Sequence, residues 1–400
     1  MKTKVIAERS INTVTEPAEE EERESKFLRE IHPLIVAFLL VGLDFRPVEQ
    51  STYKPDKKNR NREVAIRIAV VVSHILCFLY IVQFAYEIFV DGTKLSVKLG
   101  LANSALRILV ILLKYLLHHR QKTIAKMLTH ISKEYDKSTD KQKHLNKKVL
   151  SIAIALNFGV IIVEYTLVFL ESIDGNARSF RDYIWERFQK IFPRIMPTYI
   201  YCFLSILDFV WFVAVGMVMI QLQILLVVIC MALTHILKDY GKALNSPMAT
   251  LDELLERHTQ AMSTIKKTDE CLSLPLFIIL GEHVSLLFFI ISFIFSHDKG
   301  YLTGLDIYFY TIFIAYTLQY FGVTMFASMI HREVQNITIK AGEMHSFNTR
   351  LSIPERILLM LKISGSSNTC LTVCSVNITR SLVFSSFGVL VTYGVLFRDL

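Results

Sequence analysis

Signatures of chemistry are missing from this chain. It contains no Gly-rich phosphate or dinucleotide loop, no His-Glu-x-x-His and no paired-cysteine metal site. An enzyme is therefore not expected, nor a resident metal or cofactor. Cysteine is scarce: Cys77, Cys202, Cys230, Cys271, Cys370 and Cys374 are the whole set. None falls in a loop assigned below to the outer face, which excludes an extracellular disulfide framework. Residues 1–30 lack an apolar stretch and hold an acidic cluster from Glu16 to Glu24. No cleavable signal is expected there, so the first true span directs insertion. Charge is also scarce, at 20% of residues, against 52% hydrophobic and a mean hydropathy of +0.41. A soluble protein of 400 residues would keep a more polar surface. The net charge of +8 does not indicate nucleic acid, because the basic residues flank long apolar runs, where anionic lipid and the insertion machinery read them.

What is present is a series of runs long enough to cross the bilayer. A helix needs roughly 20 apolar residues for about 30 Å of hydrocarbon. Spans are expected at about 66–90, 95–117, 149–172, 198–220, 275–297, 304–330 and 381–398. The fold class is thus an all-α polytopic membrane protein of seven helices. The segment 31–45, with Pro33 near its start and Asp44 at its end, is too short to span and reads as a surface or re-entrant entry helix. The stretch 198–238 is apolar without a turn signal except Gly216. Splitting it there would place Gln221 and Gln223 in lipid, so it is read as one helix of about 60 Å whose second half leaves the bilayer.

Orientation follows from Lys and Arg. The N-terminal region to Arg62 and the segments 118–148, 238–274 and 331–380 carry 12, nine, five and six of them. The three intervening loops carry one, five and one. The N-terminus is expected in the cytoplasm and, after seven crossings, the C-terminus outside. This is inverted relative to a G-protein-coupled receptor, and the Asp-Arg-Tyr and Asn-Pro-x-x-Tyr motifs of such receptors are absent. The sequons at Asn336 and Asn377 fall on the cytoplasmic side and should stay unglycosylated. On that side Leu251, Leu254, Leu255, His258, Met262 and Ile265 recur near a 3.6-residue period, and Ile337, Ile339, Leu358, Leu359, Leu361 and Ile363 continue the style. These stripes suit either a packed cytoplasmic bundle, between subunits or within one, or amphipathic helices on the inner leaflet.

Three intramembrane charges stand out, because such groups are costly unless paired or functional. By helical rise, Arg107 lies about 18 Å below the outer start of its span, Glu164 about 12 Å and Asp208 about 15 Å from theirs. Two readings remain open: a structural ion pair, or groups that orient a polar ligand between aromatic walls. Trp211, Phe212, Phe289, Phe293, Tyr308 and Tyr310 are candidate walls, with Asn103 and Ser292 as hydrogen-bonding additions. Glu282-His283 lies deeper and reads as structural or gate-linked. His118-His119 at an inner helix end reads as interfacial rather than metal-binding. The last span carries Ser381, Ser385, Ser386, Gly388, Thr392 and Gly394, small or hydroxylated residues that suit either close packing or a wettable wall. Asp399 near its outer end is either a headgroup anchor or, repeated around an axis, a carboxylate ring favouring cations.

The C-terminal stretch resembles a known family. Arg380-Ser381-Leu382, Phe384 to Gly388, then Thr392-Tyr393 followed by five residues and Asp399-Leu400, is similar to the last span of arthropod gustatory receptors, relatives of insect odorant receptors. Their signature there is Thr-Tyr, five mostly apolar residues and Gln-Phe. Asp399-Leu400 replaces the Gln-Phe, which marks a divergent member. His32-Pro33-Leu34 through Gly42-Leu43 similarly resembles the family's entry helix. The resemblance implies a plasma-membrane, ligand-gated, non-selective cation channel, a homo- or hetero-tetramer with other gustatory subunits, opened by a small-molecule tastant. It implies a pore lined by the last span, with Ser385, Thr392, Tyr393, Leu396 and Asp399 as pore or gate positions. It implies a pocket in the outer half, where Asn103, Arg107, Glu164, Asp208, Trp211, Phe289, Ser292 and Tyr310 are the candidates. The domain division expected is a cytoplasmic N-terminus over 1–62, spans 1 to 6 over 63–330, an anchor segment over 331–379 and the pore helix over 380–400. A metabotropic receptor and a transporter are the competing readings. A transporter would show internal repeats with broken helices, and none is visible.

Overall fold

The computed structural model describes residues 25–46, 95–137, 198–296, 304–343, 351–373 and 376–396, with scattered helical positions within 64–78 and 148–166. The described part is almost wholly helical: α1 (Lys26–Leu40), α2 (Leu95–Lys137), α3 (Thr198–Leu244), α4 (Leu251–Ser296), α5 (Gly304–Glu343), α6 (Ile353–Ser364) and α7 (Arg380–Leu396). A two-stranded antiparallel hairpin, β1 (Thr372–Val373) and β2 (Val376–Asn377), precedes α7, with Thr372 opposite Asn377 and Val373 opposite Val376. Four helices run to 43, 47, 46 and 40 residues, about twice the length of one membrane crossing. Among the described residues, Gly216–Leu244, Leu251–Ser292 and Tyr310–Glu343 are long and apolar enough to cross a membrane.

The core is a seam between α3 and α5. Leu222, Leu226, Ile229, Leu233, Leu237, Tyr240 and Leu244 are each at most 2% exposed, and recur at three- and four-residue steps. Val323, Ala327, Ile330, Val334, Ile337 and Ala341 repeat the same rhythm on α5. Alternating three- and four-residue steps are the spacing of near-parallel helices that interdigitate over many turns. α4 packs beside this pair and against α2, and α1 lies across α2 and α3.

The entry helix shows how local sequence sets a stop. Ser25 caps its start by accepting the Leu28 N–H at 3.4 Å. At its end Gly42 takes φ 85°, a left-handed conformation that costs a Cβ-bearing residue about 1 kcal/mol or more. Gly42 N–H then donates to Leu39 O and Leu43 N–H to Phe38 O. This is a Schellman closure with its usual hydrophobic contact available, since Leu43 and Phe38 are both fully buried. The Gly42-Leu43 pair noticed in the sequence is thus the helix stop.

Two polar devices hold helices that the sequence made look breakable. Gly216 does not interrupt α3, which is one continuous helix as expected. Gln221, fully buried, donates its amide to Ala37 O at 3.1 Å and so holds the end of α1 against α3. α4 departs from expectation, because it begins at Leu251 and runs straight through Pro275, where the span alone was expected to start. Proline lacks an N–H, so the carbonyl four residues back loses its helical partner. That carbonyl belongs to Cys271, and Arg120 of α2 donates to it at 3.2 Å. Arg120 also reaches Glu270 O at 3.4 Å.

Candidate ligand pocket and pore helix

The end of the bundle that holds the 245–250 turn, α6 and the hairpin is called the base here. α7 stands on it. The hairpin is tied to α4 by one carboxylate: Asp269 accepts the Thr372 N–H at 2.6 Å and the Thr372 hydroxyl at 3.0 and 3.1 Å. Burial raises the Asp269 carboxyl, and the Thr372 donors pull the other way. Nearby, the Ser366 hydroxyl and His258 Nε2 are 2.8 Å apart, and Nδ1 is buried without a partner. A second proton would sit unpaired in an apolar cage near the Lys362 ammonium. Burial first and Lys362 second therefore lower His258 to about 4. This part of α4 lies outside the hydrocarbon, since Asp252, Glu253, Glu256, Arg257, Lys266, Lys267, Asp269 and Glu270 crowd it. A cleft of about 470 Å³ at the base is lined by Asp239, Lys242, Ser246, Glu253 and Arg257 among others, with Arg257 paired to Glu253 at 2.8 Å.

α7 is thinly covered by its own chain. Val383 and Leu390 are buried, and Ser386 and Phe387 half-buried, on the side facing α4 and α5. Ser381, Ser385, Gly388 and Thr392 are all exposed. Their spacing of four, three and four places them on one stripe of small or hydroxylated residues. The Thr392 hydroxyl donates to Gly388 O at 2.8 Å. Tyr393 and Leu396 lie on the described helix, with their side chains outside the described part, and Asp399 lies outside it altogether.

The candidate pocket is described in part. Phe289 and Ser292 sit three residues apart on α4, hence on one face. Both are half-buried, and the Ser292 hydroxyl is buried without a hydrogen-bond partner. Phe289 meets Phe288 edge-on at 6.0 Å. Tyr310 on α5 is 43% exposed. Asn103, Arg107, Asp208, Trp211 and Phe212 lie on the described backbone of α2 and α3, as do Phe293 on α4 and Tyr308 on α5, with side chains outside the described part. Glu164 lies outside it.

Deeper toward the base, Glu282-His283, singled out in the sequence, belongs to a polar layer whose other members sequence reasoning missed. His283 Nδ1 lies 2.8 Å from Ile279 O and 3.1 Å from Glu282 Oε2, an arrangement that places the ring proton on Nδ1. Nε2 then accepts from the Gln223 amide at 3.1 Å, and the Gln319 side-chain amide, 3.4 Å from the same nitrogen, joins as a donor when its NH2 is turned to the ring. Tyr316 stacks obliquely on the ring. One residue beyond Gln319, the Tyr320 hydroxyl hydrogen-bonds the Ser386 hydroxyl of α7. The signal available in the sequence was the clustering of Gln223, Glu282, His283 and Gln319 inside otherwise apolar helices.

A family model described as the 7tm Chemosensory receptor matches residues 31–397. The chain belongs to this family. The match starts inside the entry helix and ends inside the last span, where the two local resemblances were noted. In three dimensions the receptor is similar to the insect olfactory receptor OR5 from Machilis hrabei in complex with eugenol, with a TM-score of 0.65 at 10% identity, covering 93% of this chain and 98% of that one. It is also similar to a second structure of that olfactory receptor, with a TM-score of 0.63 at 10% identity and coverage of 92% and 97%. At that identity the likeness shows the fold alone. No curated protein matches the sequence. Family membership, together with apolar helices of spanning length, makes this a membrane protein and a receptor rather than an enzyme.

Proposed function

We propose that this chemosensory receptor is a ligand-gated, non-selective cation channel of the plasma membrane, gustatory in role, with seven crossings, a cytoplasmic N-terminus and an outer C-terminus. Four subunits, identical or drawn from related receptors, surround a pore lined by α7. The observation that carries this reading is the uncovered stripe Ser381, Ser385, Gly388 and Thr392. A helix whose polar, small-residue side is left open by its own chain has the form of a pore wall completed by symmetry. With Tyr393, Leu396 and Asp399 above, α7 is the pore and gate segment, and Asp399 from four chains forms a carboxylate ring. The base is the cytoplasmic anchor over 331–379, following the N-terminal region over 1–62 and spans 1 to 6 over 63–330. On α6, Leu359 and Ile363 pack inward while Ile353, Leu358 and Leu361 stay more than half exposed, a face suited to a second copy.

The small-molecule ligand occupies the outer half, with Arg107, Glu164 and Asp208 supplying charge, Trp211, Phe289 and Tyr310 supplying walls, and Asn103 and Ser292 supplying hydrogen bonds. The orphaned Ser292 hydroxyl supports this, because a buried polar group without a partner costs about 1–3 kcal/mol until one arrives. The test is expression of the chain in a cell lacking related receptors, with current recorded while sugars, bitter compounds, amino acids and eugenol are applied. Rapid cation current without G-protein coupling is expected. Signalling that depends wholly on a G protein would defeat the channel. Asp399→Asn should weaken the preference for cations, and unchanged selectivity would remove the ring.

A further inference from the structure

Within the described residues the lower half of α7 has a single side-chain hydrogen bond to another helix, between Ser386 and Tyr320 of α5. Its surroundings are apolar: Val383 and Leu390 are buried beside it, and Phe321 meets both Phe384 and Phe387 of α7, at 6.1 and 5.0 Å. An isolated hydroxyl pair among hydrocarbon contacts fixes rotation and register, which apolar packing alone leaves adjustable. The single Ser386 proton goes to Val383 O at 2.9 Å, so the Tyr320 hydroxyl is the donor in its bond to Ser386. Tyr320 is 3% exposed, so its hydroxyl has no water to fall back on. One residue earlier, Gln319 belongs to the layer that joins α3 through Gln223 and α4 through His283. α5 is therefore the one helix shared by that layer and by the polar contact to α7. Above Ser386 the pore helix is open: an added Cβ at Gly388 would meet nothing within 4 Å, and Val389 and Thr392 are exposed.

We infer that Tyr320 is a positioning residue for the pore helix: its hydroxyl, held on α5 beside the Gln223–His283–Gln319 layer, fixes the rotation of α7 at Ser386 and so sets which residues of the upper helix face the axis. This rests on the pore reading of α7. Ligand-driven movement of α3, α4 or α5 reaches α7 through this bond, while Asp269 holds the foot of the helix at Thr372.

The test uses the full chain in cell membranes with Thr392→Cys as reporter, a charged methanethiosulfonate reagent as probe, and the parent chain as background for the native cysteines. Tyr320→Phe and Ser386→Ala should each change the modification rate by about twofold to tenfold in the same direction, the span expected for one lost internal hydrogen bond. The double variant should change it no further than either single, because both remove one bond. Ser386→Thr, which restores a hydroxyl, should return the rate to the reference. Detergent-extracted yield and apparent melting temperature should move little, since the ring of Tyr320 and its packing survive in Tyr320→Phe. Unchanged rates in the single variants, or additive changes in the double, would overturn the inference. Cation current recorded in the same cells while sugars, bitter compounds, amino acids and eugenol are applied separates the two proposals. Shifted rates in a chain that never conducts would sink the pore reading and leave the contact standing. Conduction with unaltered rates would sink the contact alone.

Discussion

Replacing Asp269 by alanine should loosen the joint between α4 and the foot of α7. Three contacts meet on that carboxylate: the Thr372 N–H at 2.6 Å and the Thr372 hydroxyl at 3.0 and 3.1 Å. Hydrogen bonds to an ionised acceptor contribute about 1.5–3 kcal/mol each when well buried. Asp269 and Thr372 are only half-buried, so water recovers part of the loss, and two donors at the low end give about 2–3 kcal/mol for Asp269→Ala. Thr372→Val removes the hydroxyl and keeps the backbone donor, for about 1 kcal/mol. Asp269→Asn keeps one acceptor oxygen without its charge and should fall between. The assay is the fraction of detergent-solubilised receptor that stays monodisperse after heating, compared at a fixed heating time because large membrane proteins unfold irreversibly. The double variant Asp269→Ala with Thr372→Val should be no worse than Asp269→Ala alone. If Thr372→Val proves as damaging as Asp269→Ala, or if the two losses add, the joint is not this hydrogen-bonded pair.

Three further outcomes are expected. His258 is held at about 4, below the ordinary imidazole value of 6.5, so the unfolded chain binds the proton first as pH falls. Its stabilising contribution is complete above pH 6.5 and is lost as pH drops toward 4. Melting temperatures measured across that window should therefore decline less steeply in His258→Phe than in the parent. Asn336 sits inside α5 donating to Glu333 at 3.3 Å, and Asn377 lies in β2, both on the side read as cytoplasmic. Endoglycosidase treatment should leave gel mobility unchanged, and a shift traced to either asparagine refutes the orientation. Gly241→Ala should raise thermal stability by about 0.5–1 kcal/mol, since alanine is the better helix former. The nearest atoms to the new Cβ would be the flexible end of Lys340 at 3.4 Å and Ile337 at 3.8 Å, and a lower melting temperature would show that α3 and α5 approach more closely than these distances.

The features legible in the sequence were those that depend on neighbours along the chain. The unbroken apolar run of 198–238 announced a single helix, whereas the entry helix expected over 31–45 runs over Lys26–Leu40, because Gly42 takes a left-handed turn and stops it. Gln221 and Gln223 argued correctly against a lipid-facing turn, because each is buried on a specific partner. Features that depend on distant partners were hidden. The span expected from about 275 proves to be the second half of a longer helix, because Arg120, some 150 residues earlier, takes the carbonyl that Pro275 frees. The hairpin at 372–377 hides in an apolar and hydroxylated run because its two-residue strands are too short to alternate visibly. The stripe expected over Leu358, Leu359, Leu361 and Ile363 splits, with Leu359 and Ile363 inside and the other two exposed. Hydropathy cannot distinguish a face that packs within one chain from one that waits for a partner. The Tyr320–Ser386 bond left no trace, since neither residue type is unusual in a membrane helix.

The 47 residues of α3 form a rod of about 70 Å without a hinge. A rod pivoting near its middle by about 5° carries each tip roughly 3 Å, in opposite directions, at full amplitude. Displacement at one end of α3 therefore arrives at the other mechanically, without passing through a loop. The 245–250 turn, where Met248 stands 64% exposed, is the indicator needle of that rod.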